Sequence, residues 1–384
     1  MKKNVKNLNF LLLFFMIAYS AFGLLMILSA SSVAAVLRYK VSSNYFFLRQ
    51  LIFLLGGYAA GLVIINVPTK NYRYFSKLLM YGMIPMLGLV LFFGKIAGGA
   101  KGWYKVGSIN VQPLEFMKVI LVIYMAVYYN KIANKKKINV ITLLWPIILA
   151  LLTFGLVAMQ PDLGGACIIA FITALIFFSV PFGKKYKKGI VKFGIIILAL
   201  VVIVMGIFGK SLMQSYQASR FNFLNPCSRY SEDTGYQVCN GYIAIHNGGL
   251  SGVGLGNSTQ KYLYLPEAHT DFIFAIICEE LGLIFGIVIV AGYFIMLFII
   301  LNIAKEADNL RNSILAYGVF AYLLAHILIN LLGVLGLVPL TGVPLPFLSY
   351  GGSYCLNVII SLFIVQRINI ENKQAKQRKK IENL

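Results

Sequence analysis

The chain is poor in charge: only 12% of its 384 residues are Asp, Glu, Lys or Arg, while 59% are hydrophobic. That scarcity excludes an ordinary soluble domain, whose charged fraction is about twice as large. Acidic residues are the rarest charge, 12 against 34 Lys and Arg. There are three His and five Cys, with no His/Cys spacing of a zinc site. No internal repeat is evident, which argues against a transporter of repeated halves. No low-complexity stretch or separate soluble domain interrupts the sequence.

What is present is a series of long apolar runs. Segments able to cross roughly 30 Å of hydrocarbon fall at about 10–36, 45–66, 76–94, 115–130, 139–159, 164–182, 190–208, 271–301, 312–335 and 350–369. They predict an all-α polytopic membrane protein of about ten transmembrane helices in one domain, 1–384. The first run has a basic start and small residues near Ser29-Ala-Ser31, but its apolar region is too long for a signal peptide and reads as the first membrane helix.

Lys and Arg cluster on alternate connections: Lys70, Arg73 and Lys77; Lys131 to Lys137; Lys184 to Lys192; Lys305 and Arg311; and a basic tail over about 370–384. The positive-inside rule places these, and both termini, in the cytoplasm. The net charge of +22 is thus distributed along a membrane surface, and nucleic acid is not the expected partner.

The opposite, external face carries a loop at about 209–270 that is too long for a mere connector. It holds Cys227 and Cys239, placed for either a disulfide or two free thiols, and the glycine-rich stretch Gly248 to Gly256, which reads as a flexible turn or as backbone able to approach a phosphate. The loop runs into Leu265-Pro-Glu-Ala-His-Thr-Asp271, where an apolar helix begins. Asp271, with Glu279 and Glu280 inside that helix, needs partners or a water-filled cavity, so a functional reading is the default. Glu115 and Lys118 are three apart on one helix face and suit a neutralised pair facing a cavity. His326 and Asn330, one turn apart, read as interhelical hydrogen-bond partners, with Glu279 or Glu280 as candidate acceptors. Pro339, Pro344 and Pro346 keep the segment from Gly333 to Ser353 from remaining helical.

These stretches together resemble the SEDS family (shape, elongation, division and sporulation), with a lean toward its FtsW branch. The resemblance covers nearly the whole chain and is carried by Gly23 to Ser32, Arg49-Gln50, Gln112-Pro113 with Glu115 and Lys118, Gln160-Pro-Asp162-Leu-Gly164, Leu265 to Ala275, Glu279-Glu-Leu-Gly282 and Leu340-Thr-Gly-Val-Pro-Leu-Pro-Phe-Leu-Ser349-Tyr-Gly-Gly-Ser353. Leu114, Gly102, Gly165 and His326 depart from the family's usual Ser, Arg, Thr and Gln.

The resemblance implies a peptidoglycan glycosyltransferase that polymerises lipid II in the bacterial cytoplasmic membrane. It implies Asp271 as the catalytic carboxylate. Glu115, Lys118, Arg49, Lys261 and His269 are expected at the substrate, with Asp162, Glu279, Glu280, Asn330 and Ser349 in support. Lys101, Lys105 and Arg220 are further candidates for neutralising the diphosphate. A divalent cation, Mg or Mn, held by Asp271 and Glu115 is expected to assist, with no organic cofactor. The implied partners are a class B penicillin-binding transpeptidase and other division or elongation proteins. A flippase for the lipid-linked precursor and a non-catalytic division scaffold are the competing readings.

Overall fold

The computed structural model describes residues 7–97, 100–107, 109–133, 135, 137–181, 187–189, 225–231 and 233–382. The predicted span at 190–208, the start of the external loop and Arg220 lie outside them. Within them the chain folds into apolar helices as predicted, with one polar helix, α7, added: α1 (Phe10–Leu37), α2 (Tyr45–Ile64), α3 (Tyr72–Phe93), α4 (Pro113–Ala133), α5 (Val140–Ala158), α6 (Leu163–Ser179), α7 (Asp233–Gly248), α8 (Ile273–Lys305), α9 (Leu310–Val334) and α10 (Gly352–Glu382). Eight of the described helices are long and apolar enough to cross a bilayer, and α6 is a shorter apolar helix.

Helix surfaces differ in a way only a bilayer reconciles. On α3, Leu78, Phe92 and Phe93 are about three-quarters exposed, which lipid tails tolerate and water does not. By contrast, 89% of the apolar window of α10 is buried, and α4 and α9 are also largely enclosed. These three form the centre of the bundle. Within it α9 packs on α4, α6, α8 and α10, while α10 packs most heavily on α2.

Three features differ from the sequence reading. The connection before α4 is a small antiparallel sheet, β1 (Lys95–Ala97), β2 (Ala100–Val106) and β3 (Ile109–Val111), with Gly107 supplying a positive φ of 60° at the turn. The external loop contains α7, which a disulfide between Cys227 and Cys239 fastens to the 3₁₀ turn Pro226–Arg229. The basic tail is the helical end of α10, where Lys376 and Lys379 pair with Glu306 and Asp308 at 2.8 and 2.6 Å.

Helix α8 is also not continuous. It breaks at Gly282, whose φ of 84° and ψ of 164° leave the helix. The freed backbone groups are satisfied by the glycine-rich turn: the N–H groups of Val253 and Gly254 donate to the carbonyls of Glu279 and Glu280 (3.0 and 2.9 Å), and those of Leu283 and Ile284 donate to Gly249 and Leu250 (2.9 and 3.3 Å). A Cβ at Gly252 would lie 2.3 Å from the Glu280 carbonyl oxygen, and one at Gly248 would lie 2.0 Å from that of Cys278. The glycines therefore let two backbones meet at membrane depth, where unpaired amides are costly. They are engaged with α8, which corrects both the flexible-turn and the phosphate-cradle expectation.

Candidate active site

Asp271 lies just before α8, one residue ahead of the N-cap Phe272. Its backbone is held at three successive carbonyls by side chains and backbone from distant parts of the chain. The Tyr350 N–H donates to the His269 carbonyl (2.9 Å), Ser349 Oγ to Thr270 (2.6 Å), and Asn330 Nδ2 to Asp271 (2.8 Å). Asn330 Nδ2 also donates to the Val343 carbonyl (2.8 Å). The segment before α8 and the Pro-rich loop before α10 are thereby fixed to one another. Gly342, at a φ of 69°, turns that loop against the carboxylate: a Cβ there would stand 3.2 Å from Asp271 Oδ2. On its other side the loop rests on α6, where a Cβ on Gly164 would meet Thr341 and Val343 side chains at 2.8 Å.

Below this lies the Glu115–Lys118 pair, 2.7 Å apart and 5% or less exposed. Lys118 Nζ also lies 3.1 Å from His326 Nε2, and His326 Nδ1 lies 3.2 Å from the Pro344 carbonyl. A carbonyl only accepts, so Nδ1 carries the proton and Nε2 accepts from the ammonium. His326 and Asn330 are one turn apart on α9 and thus grip consecutive carbonyls, Pro344 and Val343, of the loop facing Asp271. Their partners are therefore Lys118, this loop and the Asp271 carbonyl, not Glu279 or Glu280.

The two glutamates are engaged elsewhere. Glu279 accepts from Thr259 N (3.1 Å), Thr259 Oγ1 (2.8 Å) and Ser258 Oγ, fixing the end of the glycine-rich turn. Glu280 pairs with Lys261 at 3.0 Å and accepts from Ser29 Oγ at 2.7 Å. Lys261 is 5% exposed and also donates to the Gly256 carbonyl, so its charge is neutralised inside the protein and is not presented to a substrate. Lys118 is enclosed in the same way, which corrects the expectation of direct diphosphate contact for both. Arg49 is half-buried, its guanidinium 4.6 Å from the centre of the Tyr45 ring. Lys105 is exposed on β2, and Lys101 donates to the Phe92 carbonyl at 3.3 Å.

Asp162 caps α6 by accepting from Gly165 N (2.8 Å) and accepts from Gln112 Nε2 (3.3 Å), tying the sheet to the floor of the Pro-rich loop. His269 is boxed by aromatic rings, with centroids 4.6 Å to Phe46 and 5.8 Å to Tyr350. Burial pushes its pKa down to about 4, against the opposing pull of Glu267, so the imidazole is neutral at pH 7. It buttresses the Asp271 segment and is too enclosed to offer a charge to substrate.

The expected divalent site rests on Asp271 and Glu115 alone. Glu115 Oε1 is taken by Lys118, and among the described residues no three His, Cys, Asp or Glu converge.

Three contributors carry no role in the sequence reading. Gln50 is fully buried and bridges the Ser349 carbonyl and Gly351 N–H; a polar residue in an apolar run was its available signal. Gly342 sits in the Leu340 to Ser353 motif, but its approach to Asp271 is tertiary. Arg38, 4.0 Å from Glu267, brings a half-exposed cation to the same face and left no pattern to read.

The family described as Cell cycle protein, grouping FtsW, RodA and SpoVE, matches residues 9–374. The probable peptidoglycan glycosyltransferase FtsW of Bacillus subtilis strain 168 is 37% identical over 390 aligned positions, covering 100% of this chain and 96% of that one. Stage V sporulation protein E of the same organism is 35% identical over 364 positions, covering 90% and 93%. Among solved structures, a chain of a peptidoglycan synthase complex that coordinates polymerization and crosslinking has a TM-score of 0.75 at 23% identity, over 96% of this chain and 99% of that one. The Thermus thermophilus rod shape determining protein RodA has a TM-score of 0.66 at 22% identity, over 94% and 96%. With its apolar helices, its Asp271 loop and this full-length similarity, the chain belongs to the FtsW/RodA/SpoVE family of multi-pass membrane proteins.

Proposed function

We propose that this protein is a peptidoglycan glycosyltransferase that polymerises lipid II at the outer face of the cytoplasmic membrane, with both termini inside. The observation that carries the reading is the fixing of carbonyls 269, 270 and 271, which holds the Asp271 carboxylate against Gly342 at the mouth of the bundle. A carboxylate positioned this firmly, yet not fully buried, suits a general base.

In the reaction, the 4-hydroxyl oxygen of the acceptor sugar attacks the anomeric carbon of the donor while Asp271 takes the hydroxyl proton. The new C–O bond forms with inversion. The bond from that carbon to the phosphate oxygen breaks, and the undecaprenyl diphosphate leaves with the electron pair. Among the described residues, Arg38, Lys40 and Lys105 are exposed cations on this face that would stabilise the leaving group. Glu115, Lys118 and His326 act indirectly, by fixing Pro344 and with it the loop facing Asp271. A class B penicillin-binding transpeptidase is the partner that would cross-link the product.

The test is polymerisation of labelled lipid II by the protein co-purified with its cognate transpeptidase, with cross-linking blocked. Wild type is expected to give a glycan ladder. Absence of product from a folded, partnered complex would remove the polymerase reading in favour of transport or scaffolding.

A further inference from the structure

At the opposite end of the bundle from Asp271 lies a polar cavity of about 310 Å³, where the start of α9 and the distal part of α10 meet the turn before α3. Four cations line it, Lys70, Arg311, Arg367 and Arg378, against two carboxylates, Asp308 and Glu371. Both carboxylates are already engaged. Glu371 accepts from Thr69 N (2.9 Å), Thr69 Oγ1 (2.6 Å), Asn312 Nδ2 (2.8 Å) and Arg367 Nε (3.0 Å), and Asp308 pairs with Lys379 (2.6 Å). Lys70, Arg311 and Arg378 are left as positive charge over the cavity.

Arg311 supplies a second observation. Its Nη2 donates to Thr69 Oγ1 at 3.0 Å, but its Nε is enclosed and has no acceptor. A buried donor without an acceptor is unfavourable, and a charged one more so. The N-terminus of α9, at Leu310, adds its own partial positive charge to the cavity wall.

The position along the membrane normal indicates which anion meets the positive charge that lines the cavity. Helix α10 has 31 residues, or about 46 Å, against roughly 30 Å of hydrocarbon, so its distal third stands at headgroup depth. Arg378 and Lys70 are exposed there, and Arg311 is half-buried behind them.

We propose that this cavity binds the phosphate of an anionic lipid headgroup, with Arg311 on the inner wall and Lys70 and Arg378 at the mouth. The site is separate from the polymerase chemistry and does not rest on it.

The experiment is native mass spectrometry of the purified full chain in detergent, with phosphatidylglycerol or phosphatidylcholine of matched acyl chains and with inorganic phosphate. Wild type should retain phosphatidylglycerol at least tenfold over phosphatidylcholine, and Lys70→Gln/Arg378→Gln should lose that preference. Both substitutions are at exposed positions, so folding is spared. Lys77→Gln/Lys380→Gln, which removes the same charge from positions that do not line the cavity, should keep the preference. Equal retention by wild type and the cavity variant, or equal loss in the control variant, would overturn the site. Phosphate bound by wild type with no preference between the lipids would support the anion site and overturn its lipid occupant.

Discussion

Asp271 carries the most specific expectation at the scale of single residues. Its replacement by Asn keeps the shape and removes the basicity, so Asp271→Asn should lower lipid II polymerisation by at least ~100-fold with unchanged yield and thermal stability. An unchanged ladder would take Asp271 out of the chemistry. His326 should behave differently, because a Gln side chain can donate to Pro344 and accept from Lys118 through one amide. His326→Gln is expected to retain folding and product. His326→Leu, which strands the Pro344 carbonyl and leaves the ammonium one acceptor short, should cost roughly 2–4 kcal/mol in thermal unfolding. His269 gives a pH dependence. Its pKa is about 4 in the folded protein and near 6.5 when unfolded, so folding favours the neutral ring. That contribution is constant above pH 6.5, falls as the pH drops from 6.5 toward 4 and is lost below it, with a size on the order of 3 kcal/mol. The melting temperature of wild type should therefore fall relative to that of His269→Phe as the pH is lowered across that window, and a constant difference between the two would refute the assignment. These residues were unequally legible: Asp271 and the Glu115–Lys118 pair stood out as charges in apolar sequence, whereas the pairing of Lys118 with His326 joins residues 208 apart and has no local signature.

At the scale of elements, the break in α8 is the feature most exposed to test. At Gly282 an Ala would face both a positive φ and a Cβ 2.2 Å from the Leu250 carbonyl oxygen. Gly282→Ala should therefore destabilise the protein, by roughly 1–3 kcal/mol from backbone strain alone, with the four hydrogen bonds to the glycine-rich turn lost in addition. Gly256→Ala is the informative contrast. It shares a positive φ but meets nothing within 4 Å, so its effect on thermal unfolding should be smaller. The hydropathy of α8 reads as one uninterrupted span because Gly282 is apolar enough to pass as helix, and only the partner backbone reveals the break. Helix α7 was hidden for a related reason: its composition is too polar for a membrane span, and its stability rests on packing against α8 and on the disulfide.

For the molecule as a whole, the placement of Lys and Arg on alternate connections predicts sidedness. A single Cys introduced at Lys105, on β2, should react with a membrane-impermeant maleimide in intact cells, and one at Arg378, on α10, only after permeabilisation. The reverse pattern would invert the topology and place the Asp271 loop on the wrong face for an exported lipid-linked sugar. What the sequence by itself determined was the membrane medium and the all-helical architecture, because apolar length against bilayer thickness is a local property of the chain. It also marked the segments that carry chemistry, since Pro, Gly and charge within apolar runs are unfavourable unless used. What only the tertiary structure decided was which of those charges face outward. Lys118 and Lys261 look like substrate cations until Glu115, His326, Glu280 and Ser29 close around them, and Asp271 gains its fixed position from Asn330, Ser349 and Tyr350. In a low-dielectric interior each charge must find a partner, and the partner is chosen by packing across the bundle, which no stretch of sequence contains.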